Sequence, residues 1–476
     1  MNVVGLDLGT SQVKAVLFDD QWRVVAEATE TTVVQQFADG RSEQDMREVW
    51  AAARRVLSQV RADHPVDAIA VTAQGDGCWL VDQQGSPVGP ALLWNDNRAA
   101  PLIDEWERAG VLDSAFAITG CYGAPGLAHG QLRWLRANDP ERVQRATHLL
   151  SCGSWIFHCL TGRRALDVSD AANPFLDTRT RQLSSEAFEL YGIPELQRLI
   201  PDIVDSGDRS AGLSAEAATA TGIAAGTPVV LAPYDVVATA TGSATIDPGQ
   251  AFAILGTTLC VAAVASDPVL DRPPNGMTLP GIDPGRWLIT YATLAGTEVL
   301  HWTARLLGLD GPTSLIRLAA TATPGDGPHM TPYLSPSGER SPFRDSAVRG
   351  SLRGLTLRHT PADVALASLD ALTLAVRDCL EATGTRPDSI RLSGGGARSA
   401  PWCQMISDAT RTVVTGPDTT EVGARGAAIT AVAELDRERD VSAVCREAVG
   451  SGREYSPHEQ SAARYDSAFV TFRDDR

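Results

Sequence analysis

A chain of 476 residues with 43% hydrophobic side chains is too long for one compact core and predicts two domains of roughly 200 to 250 residues each. A formal charge of -17 without any basic run argues against nucleic acid or an anionic membrane as a main partner. Scattered cysteines without CxxC pairs, no basic-apolar-small leader and no apolar run of membrane-spanning length make a soluble cytoplasmic protein with reduced thiols the expectation.

The first element is VVGLDLGTSQVKAVLFD, residues 3–19, which reads as a buried β-hairpin around a small-residue turn. Asp7 is its anomaly, because a carboxylate inside a strand is costly unless it is paired or holds a cation. It lies two residues before Gly9-Thr10-Ser11, whose backbone N–H groups and hydroxyls can face an anion, and that pairing suggests Mg²⁺ and phosphate. Lys14, the only lysine of the chain, is a candidate phosphate or carboxylate partner, or else a solvent-facing residue of an ordinary hairpin.

A helix is expected from Ser42 to Ala62, with Glu43 and Asp45 in its first turn. A short strand, 68–72, then ends at Gln74-Gly75-Asp76-Gly77, and a second apolar segment ends in the polar cluster Trp94-Asn95-Asp96 and Arg98. Polar residues at the ends of buried strands are where α/β folds place ligands. Residues 110–208 read as helices with short strands, Trp134 and Trp155 being core residues. The strand Thr227 to Leu231 delivers Asp235-Val236 to a small-residue helix, so Asp235 is either a helix cap or a functional acid.

At Ala251 to Val264 the opening pattern returns: Leu255-Gly256-Thr257-Thr258 repeats Leu8-Gly9-Thr10-Ser11 at a constant offset. That echo suggests two related domains, the second carrying Ile254 where the first has Asp7 and Val261 where it has Lys14. Two such turns would close on one nucleotide in a cleft. Further elements are a strand at 287–291 leading through Ala295-Gly296-Thr297 into a helix, and a polar Pro/Gly/Arg-rich loop at 332–354. A long helix from Thr360 to Thr383 precedes a strand running into Ser393-Gly394-Gly395-Gly396, and a small-residue helix at 423–433 precedes a charged tail. The boundaries expected are 1–243, 244–440 and a tail at 441–476.

No GxxxxGK[ST], GxGxxG or GxSxG motif is present, which sets aside a Walker-type ATPase, a Rossmann dehydrogenase and an α/β-hydrolase. The positive signal is the ordered set of the Asp7 to Lys14 turn, the Asp235 strand end, the Gly256 turn and the Gly394 turn. With DLGTSQVK, GERSPFRDSAVRGSLRGL and LSGGGARSAPWCQMISDAT, this set resembles the FGGY family of carbohydrate kinases over nearly the whole length. The resemblance implies an α/β, actin-like (ribonuclease H-like) duplicated two-domain fold with an interdomain cleft, and phosphorylation of a small sugar or polyol by ATP with Mg²⁺.

It further implies Asp235 as the general base and Asp7 on the metal side, with Gly9, Thr10, Ser11, Lys14, Gly256, Thr257, Thr258, Gly296, Gly394, Gly395, Gly396 and Ser399 at the nucleotide. Gln74, Gly75, Asp76, Trp94, Asp96 and Val236 are the acceptor-side candidates, Trp94 serving as a stacking face or as core. A xylulokinase usually has Gln-Met-His-Gly at the first of these strands and a glycerol kinase Gln-Arg-Glu, whereas this chain has Gln74-Gly75-Asp76-Gly77. The base is followed by Val236 instead of an amide. These departures favour an erythritol-like tetritol over a xylulose-like ketopentose or a keto-sugar acid, since the acceptor-only Asp76 suits a neutral polyol. An actin-like regulator that binds nucleotide without sugar turnover is the rival from another class. A homodimer stays open as the assembly.

Overall fold

A computed structural model describes residues 1–325 and 327–476. The chain forms two compact units, the first made of residues 1–246, 278–287 and 421–450, the second of 247–277, 288–420 and 451–476.

In the first unit β1 (Val3–Leu8) and β2 (Gln12–Phe18) form the expected hairpin, followed by β3 (Val24–Thr31), α1 (Met46–Arg61) and β4 (Ala68–Ala73). Beyond a series of further helices and short strands follow the short helix α2 (Val168–Ala172), β5 (Ser210–Gly212), β6 (Pro228–Leu231) and α3 (Asp235–Gly242). The sheet order is β5–β6–β4–β1–β2–β3, with β1, β4 and β6 parallel. The carboxyl ends of these parallel strands release Gly9, Gln74 and Ala232 side by side, the edge where α/β sheets place ligands. Apolar residues of α1 cover one sheet face through Met46, Val49, Val56, Leu57 and Val60.

The helix expected from Ser42 starts only at Met46. Asp45 is its N-cap, accepting the Arg47 N–H at 2.8 Å, and Ser42–Gln44 is a buried strand whose Ser42 N–H is taken by Asp96. An acid before an apolar run marks a helix start but does not say which of several polar residues is the cap.

The second unit contains β7 (Gln250–Leu255), β8 (Leu259–Ala265), β9 (Trp287–Ala292), α4 (Thr297–Leu306), α5 (Pro361–Ala382), β10 (Ser389–Ser393), α6 (Ala400–Thr410) and β11 (Val413–Thr415). The chain then re-enters the first unit with α7 (Val422–Leu435), and the second unit closes with β12 (Glu454–Tyr455) and α8 (Glu459–Asp474). Six strands of its seven-stranded sheet run β9–β8–β7–β10–β11–β12, the order of the first sheet read from β3 to β5, with a hairpin followed by two strands parallel to its first member, and the strand Met277–Pro280 adds a seventh beside β9. This is the duplicated α/β, actin-like fold.

The two hairpins differ by one residue at the turn. Leu8 pairs with Val13 across Gly9 to Gln12, while Leu255 pairs with Leu259 across Gly256 to Thr258. Lys14 therefore faces Asp7, but Val261 faces Ala253 and Ile254 faces Cys260, so the constant offset stops holding across the turn.

The stretch expected to be a charged tail from 441 is ordered. Residues 441–450 carry a helix in the first unit, and α8 buries Tyr465, Phe469 and Phe472 in the core of the second. Its aromatic residues recur at helical spacing, a signal that the flanking charges mask.

Small residues decide how α7 packs. A Cβ on Gly5 would sit 2.0 Å from the Ala424 carbonyl oxygen, one on Gly242 1.9 Å from that of Val422, and one on Gly426 1.8 Å from that of Ala238. The α7 backbone consequently lies directly against β1 and α3, and Ala424, Ala427, Ala428 and Ile429 complete the core on the second face of the sheet.

Candidate active site

Asp7 points from β1 beside Lys14, and Lys14 Nζ lies 2.7 Å from Glu421 Oε2. The Asp7 carboxylate is pressed so closely on α7 that a Cβ on Gly423 would approach its Oδ2 to 2.5 Å. Burial pushes the Asp7 carboxyl up to about 6, with Glu421 adding to the shift and Lys14 opposing it. A polarised acid beside a small-residue turn fits a hard divalent cation that takes one protein carboxylate and completes its shell from phosphate oxygens and water. Among the described residues there is no cluster of three or more His, Cys, Asp or Glu that could hold a metal ion.

The turn after Asp7 is tied to the strand end of β4. Thr10 donates its hydroxyl proton to Gln74 Oε1 at 2.7 Å and accepts from Trp94 Nε1 at 3.0 Å, while Gln74 Nε2 donates to Gln44 Oε1 at 3.1 Å. The Thr10 hydroxyl is thereby committed within the protein, leaving the exposed Ser11 and the turn backbone free to meet an anion. Trp94 belongs to this site edge by that bond. Asp96 does not: it is 0% exposed, and its oxygens accept from Arg98 and from the Ser42 N–H. Arg98 is likewise consumed by Asp96 and Glu43.

Gln74 to Gly77 leave β4 in a tightly built loop. A Cβ on Gly75 would lie 2.1 Å from the Tyr234 ring, and one on Gly77, which holds φ +80, would lie 2.4 Å from the Leu92 carbonyl oxygen. Asp76 itself holds φ 60, a left-handed conformation costing a non-glycine residue about 1 kcal/mol. Its Oδ1 accepts from Asn173 Nδ2 at 2.5 Å, which fixes the carboxylate in that backbone.

The segment before Asp235 is anchored three times. Ala232 N–H donates to the Val71 carbonyl at 2.9 Å, Thr72 Oγ1 to the Pro233 carbonyl at 2.7 Å, and Tyr234 N–H to Ser169 Oγ at 3.0 Å. Tyr234 occupies the N-cap position of α3 and gives no side-chain cap bond, so Asp235 is the first helical residue and not its cap. Burial pushes the Asp235 carboxyl up to about 8, with the charges of Asp7 and Asp76 adding to it. An acid lifted into that range by its surroundings is poised for proton transfer near neutral pH.

Asp170, Ser169, Asn173, Gln44 and Glu421 join this site without having been marked by any motif. Asp170 is held well above the usual carboxylate range by burial first and by Asp167, Asp76 and Asp235 in addition. The one available signal was DVSDAA, three polar residues among small apolar ones, too short for helical periodicity and buried at Asp167 and Ser169.

The second unit gathers its own predicted residues. Thr297 N–H donates to the Gly256 carbonyl at 2.9 Å, and a Cβ on Gly296 would lie 2.2 Å from the Thr257 carbonyl oxygen. Glu339 of the polar loop holds this strand end by accepting the Leu294 and Ala295 N–H groups at 2.6 and 3.2 Å. Gly394, at φ +82, abuts the Leu255 carbonyl, and Gly395 has open space around it. Ser399 uses its hydroxyl to cap α6 through the Trp402 N–H at 3.3 Å. Gly256, Thr257, Thr258, Gly296 and the Gly394 to Gly396 turn thus form one small-residue surface.

Comparison with known proteins bears on the family and the fold. The FGGY carbohydrate kinase N-terminal domain model matches residues 2–242 and the C-terminal domain model residues 251–435. The chain is 31% identical to the erythritol kinase of Brucella abortus (strain 2308) over 502 aligned residues, covering 100% of this chain and 95% of that protein. It is 33% identical to the xylulose kinase of Escherichia coli (strain K12), covering 85% of this chain and 84% of the relative. The crystal structure of a xyloylose kinase from Brucella ovis superposes with a TM-score of 0.91 at 28% identity, covering 100% and 98% of the two chains.

Proposed function

From the premise that this chain belongs to the FGGY family of carbohydrate kinases, we propose that it phosphorylates a neutral polyol of tetritol size, erythritol-like, with Asp235 as the general base. The observation that carries the substrate class is Asp76, fixed by Asn173 beside the raised acid Asp235, with Val236 where an amide would otherwise offer a donor. Carboxylates only accept when ionised, so they match an acceptor rich in hydroxyl donors and oppose one that carries its own charge. The full-length similarity to an erythritol kinase supports the same class.

In this reading Asp235 takes the proton of the attacking hydroxyl while the protein positions the reactants. Asp7 would hold Mg²⁺, which supplies positive charge to phosphate oxygens of ATP. The turn Gly9 to Ser11 faces phosphate with backbone N–H groups and the Ser11 hydroxyl, and Lys14 exchanges or shares its Glu421 partner with it. Gly256, Thr257, Thr258, Gly296 and Gly394 to Gly396 are the second unit's nucleotide-binding residues, with Ser399 acting through the helix that it caps. Gln74 links acceptor and donor sides through its bond with Thr10.

A second reading is a xylulose-like ketopentose as acceptor, favoured by the similarity to the Escherichia coli xylulose kinase. Coupled ADP release over C3 to C6 polyols and ketoses separates the two. Erythritol is expected to give the highest kcat/KM; a higher value for xylulose replaces the tetritol reading with the ketopentose one, and no turnover on any acceptor removes both.

A further inference from the structure

The short segment from Asp167 to Asn173 lies outside the motifs read above, yet it bonds to the Asp76 carboxylate and to the backbone immediately before Asp235. Asp167 caps α2, its Oδ1 accepting the Ser169 N–H at 2.9 Å and the Ser169 hydroxyl at 2.5 Å, while its Oδ2 accepts Arg209 Nε at 2.7 Å. Asp167 is 0% and Arg209 2% exposed, so water does not compete for this pair. Having given its proton to Asp167, Ser169 Oγ is oriented as an acceptor and takes the Tyr234 N–H at 3.0 Å, one residue before Asp235. At the other end Asn173 donates to Asp76 at 2.5 Å. Between them Asp170 accepts from Ser151 at 3.0 Å through Oδ2 and buries Oδ1 without a partner. After burial and Asp167, the charges of Asp76 and Asp235 help to hold its carboxyl well above the usual carboxylate range, so this stretch of α2 lies near the same acids.

We infer that residues 167–173 are a positioning element for the acceptor side of the reaction, Ser169 setting the loop that presents the base and Asn173 setting the carboxylate that recognises the acceptor. This rests on the reading of Asp235 as base and Asp76 as acceptor-binding residue. A single five-residue helix then fixes both groups against one buried ion pair, Asp167–Arg209. The two ends act on different steps. Slackening the Tyr234 tether displaces the base from the proton it removes and lowers kcat. Releasing Asp76 frees it from a strained backbone and weakens acceptor binding.

Steady-state kinetics of the full chain with ATP and Mg²⁺, on its best acceptor from the polyol and ketose panel, test this split. Ser169→Ala is expected to lower kcat about tenfold with acceptor KM within about twofold, and Asn173→Ala to raise acceptor KM about tenfold with kcat within about threefold. ATP KM stays within about twofold in both variants, and Ser169→Thr, which keeps the hydroxyl, recovers kcat. Should Ser169→Ala not fold, Ser169→Cys, whose sulfur is a weak acceptor for the Tyr234 N–H, carries the kcat arm and Asn173→Asp the other, the added like charge against Asp76 raising acceptor KM. Parallel loss of kcat, acceptor binding and ATP binding overturns the inference in favour of a purely structural role. So do wild-type parameters in both variants when Asp235→Asn is inactive. Turnover by Asp235→Asn instead removes the base assignment on which the inference stands.

Discussion

The hairpin of β1 and β2 and the hairpin of β7 and β8 occupy the same place in two sheets that share a six-strand order. Each ends its first strand in a glycine-led turn of small polar residues. Only the first is loaded with charge: Asp7 faces Lys14 and Lys14 meets Glu421, whereas Ile254 faces Cys260. The second turn is also one residue tighter. The comparison teaches that what the duplication preserves is a backbone surface for an anion, which glycine and small side chains supply without charge. Metal chemistry and proton transfer would need acids in costly surroundings, and these are concentrated in one copy, where burial and neighbouring carboxylates push up Asp7, Asp170 and Asp235.

If charge is what separates the copies, removing it from the first should be far more damaging than any change at the matching place in the second. Asp235→Asn is expected to cut kcat by about 10³-fold while nucleotide affinity, measured by ADP titration, stays within about twofold. Undiminished turnover would end its role as base. Asp7→Asn should cost on the order of a hundredfold in kcat/KM at saturating Mg²⁺, against less than about twofold for Ile254→Val at the corresponding place; equal losses would erase the contrast. Glycine pairs sharpen it further. Gly423→Ala pushes a methyl group onto Asp7 and should lower kcat about tenfold, while Gly296→Ala pushes one onto the Thr257 carbonyl and should raise ATP KM instead.

The smallest effect is a pH dependence. Asp235 keeps its proton in the folded chain up to about 8 but releases it near 3.8 when unfolded. Between those values the native state binds more protons, so this group's contribution to stability falls as pH rises from about 4 to about 8. Asp235→Asn does not ionise. Its Tm relative to the parent protein should therefore climb by a few degrees across that window in thermal melts without nucleotide or metal. A difference that stays constant between pH 5 and pH 8 would place the acid in a less perturbing setting.

The elements with strong periodicity were legible in the sequence. Alternation and apolar runs gave both hairpins, the helix over 361–382 and the strand leading to Asp235, and the small-residue stretches at 236–244 and 423–433 do pack closely, against each other. Three kinds of feature were not. The re-entry of residues 421–450 into the first unit depends on long-range packing, and a local pattern of alanine and glycine does not say which sheet it covers. The register difference between hairpins is a matter of turn length, hidden by sequences that align without a gap. Asp170, Ser169 and Asn173 sit on a helix too short to have a period, and their significance comes from partners distant in the chain. Asp96 is the converse, a polar residue at a strand end whose partners turned out to be internal.

The placement of α7 also has a consequence for the order of synthesis. A ribosome finishes β1, β4 and β6 early, yet the helix that fills the groove over Gly5 and locks against Gly242 emerges only after nearly all of the second unit has been made. Until then the nascent first unit carries an open apolar face formed by Val3, Val16, Ala68, Ala70 and Val230. A chain cut after Ile246 would keep that face uncovered permanently. The first unit is thus a folding domain whose last structural part is delivered late, and the second unit must be translated before the first can be complete.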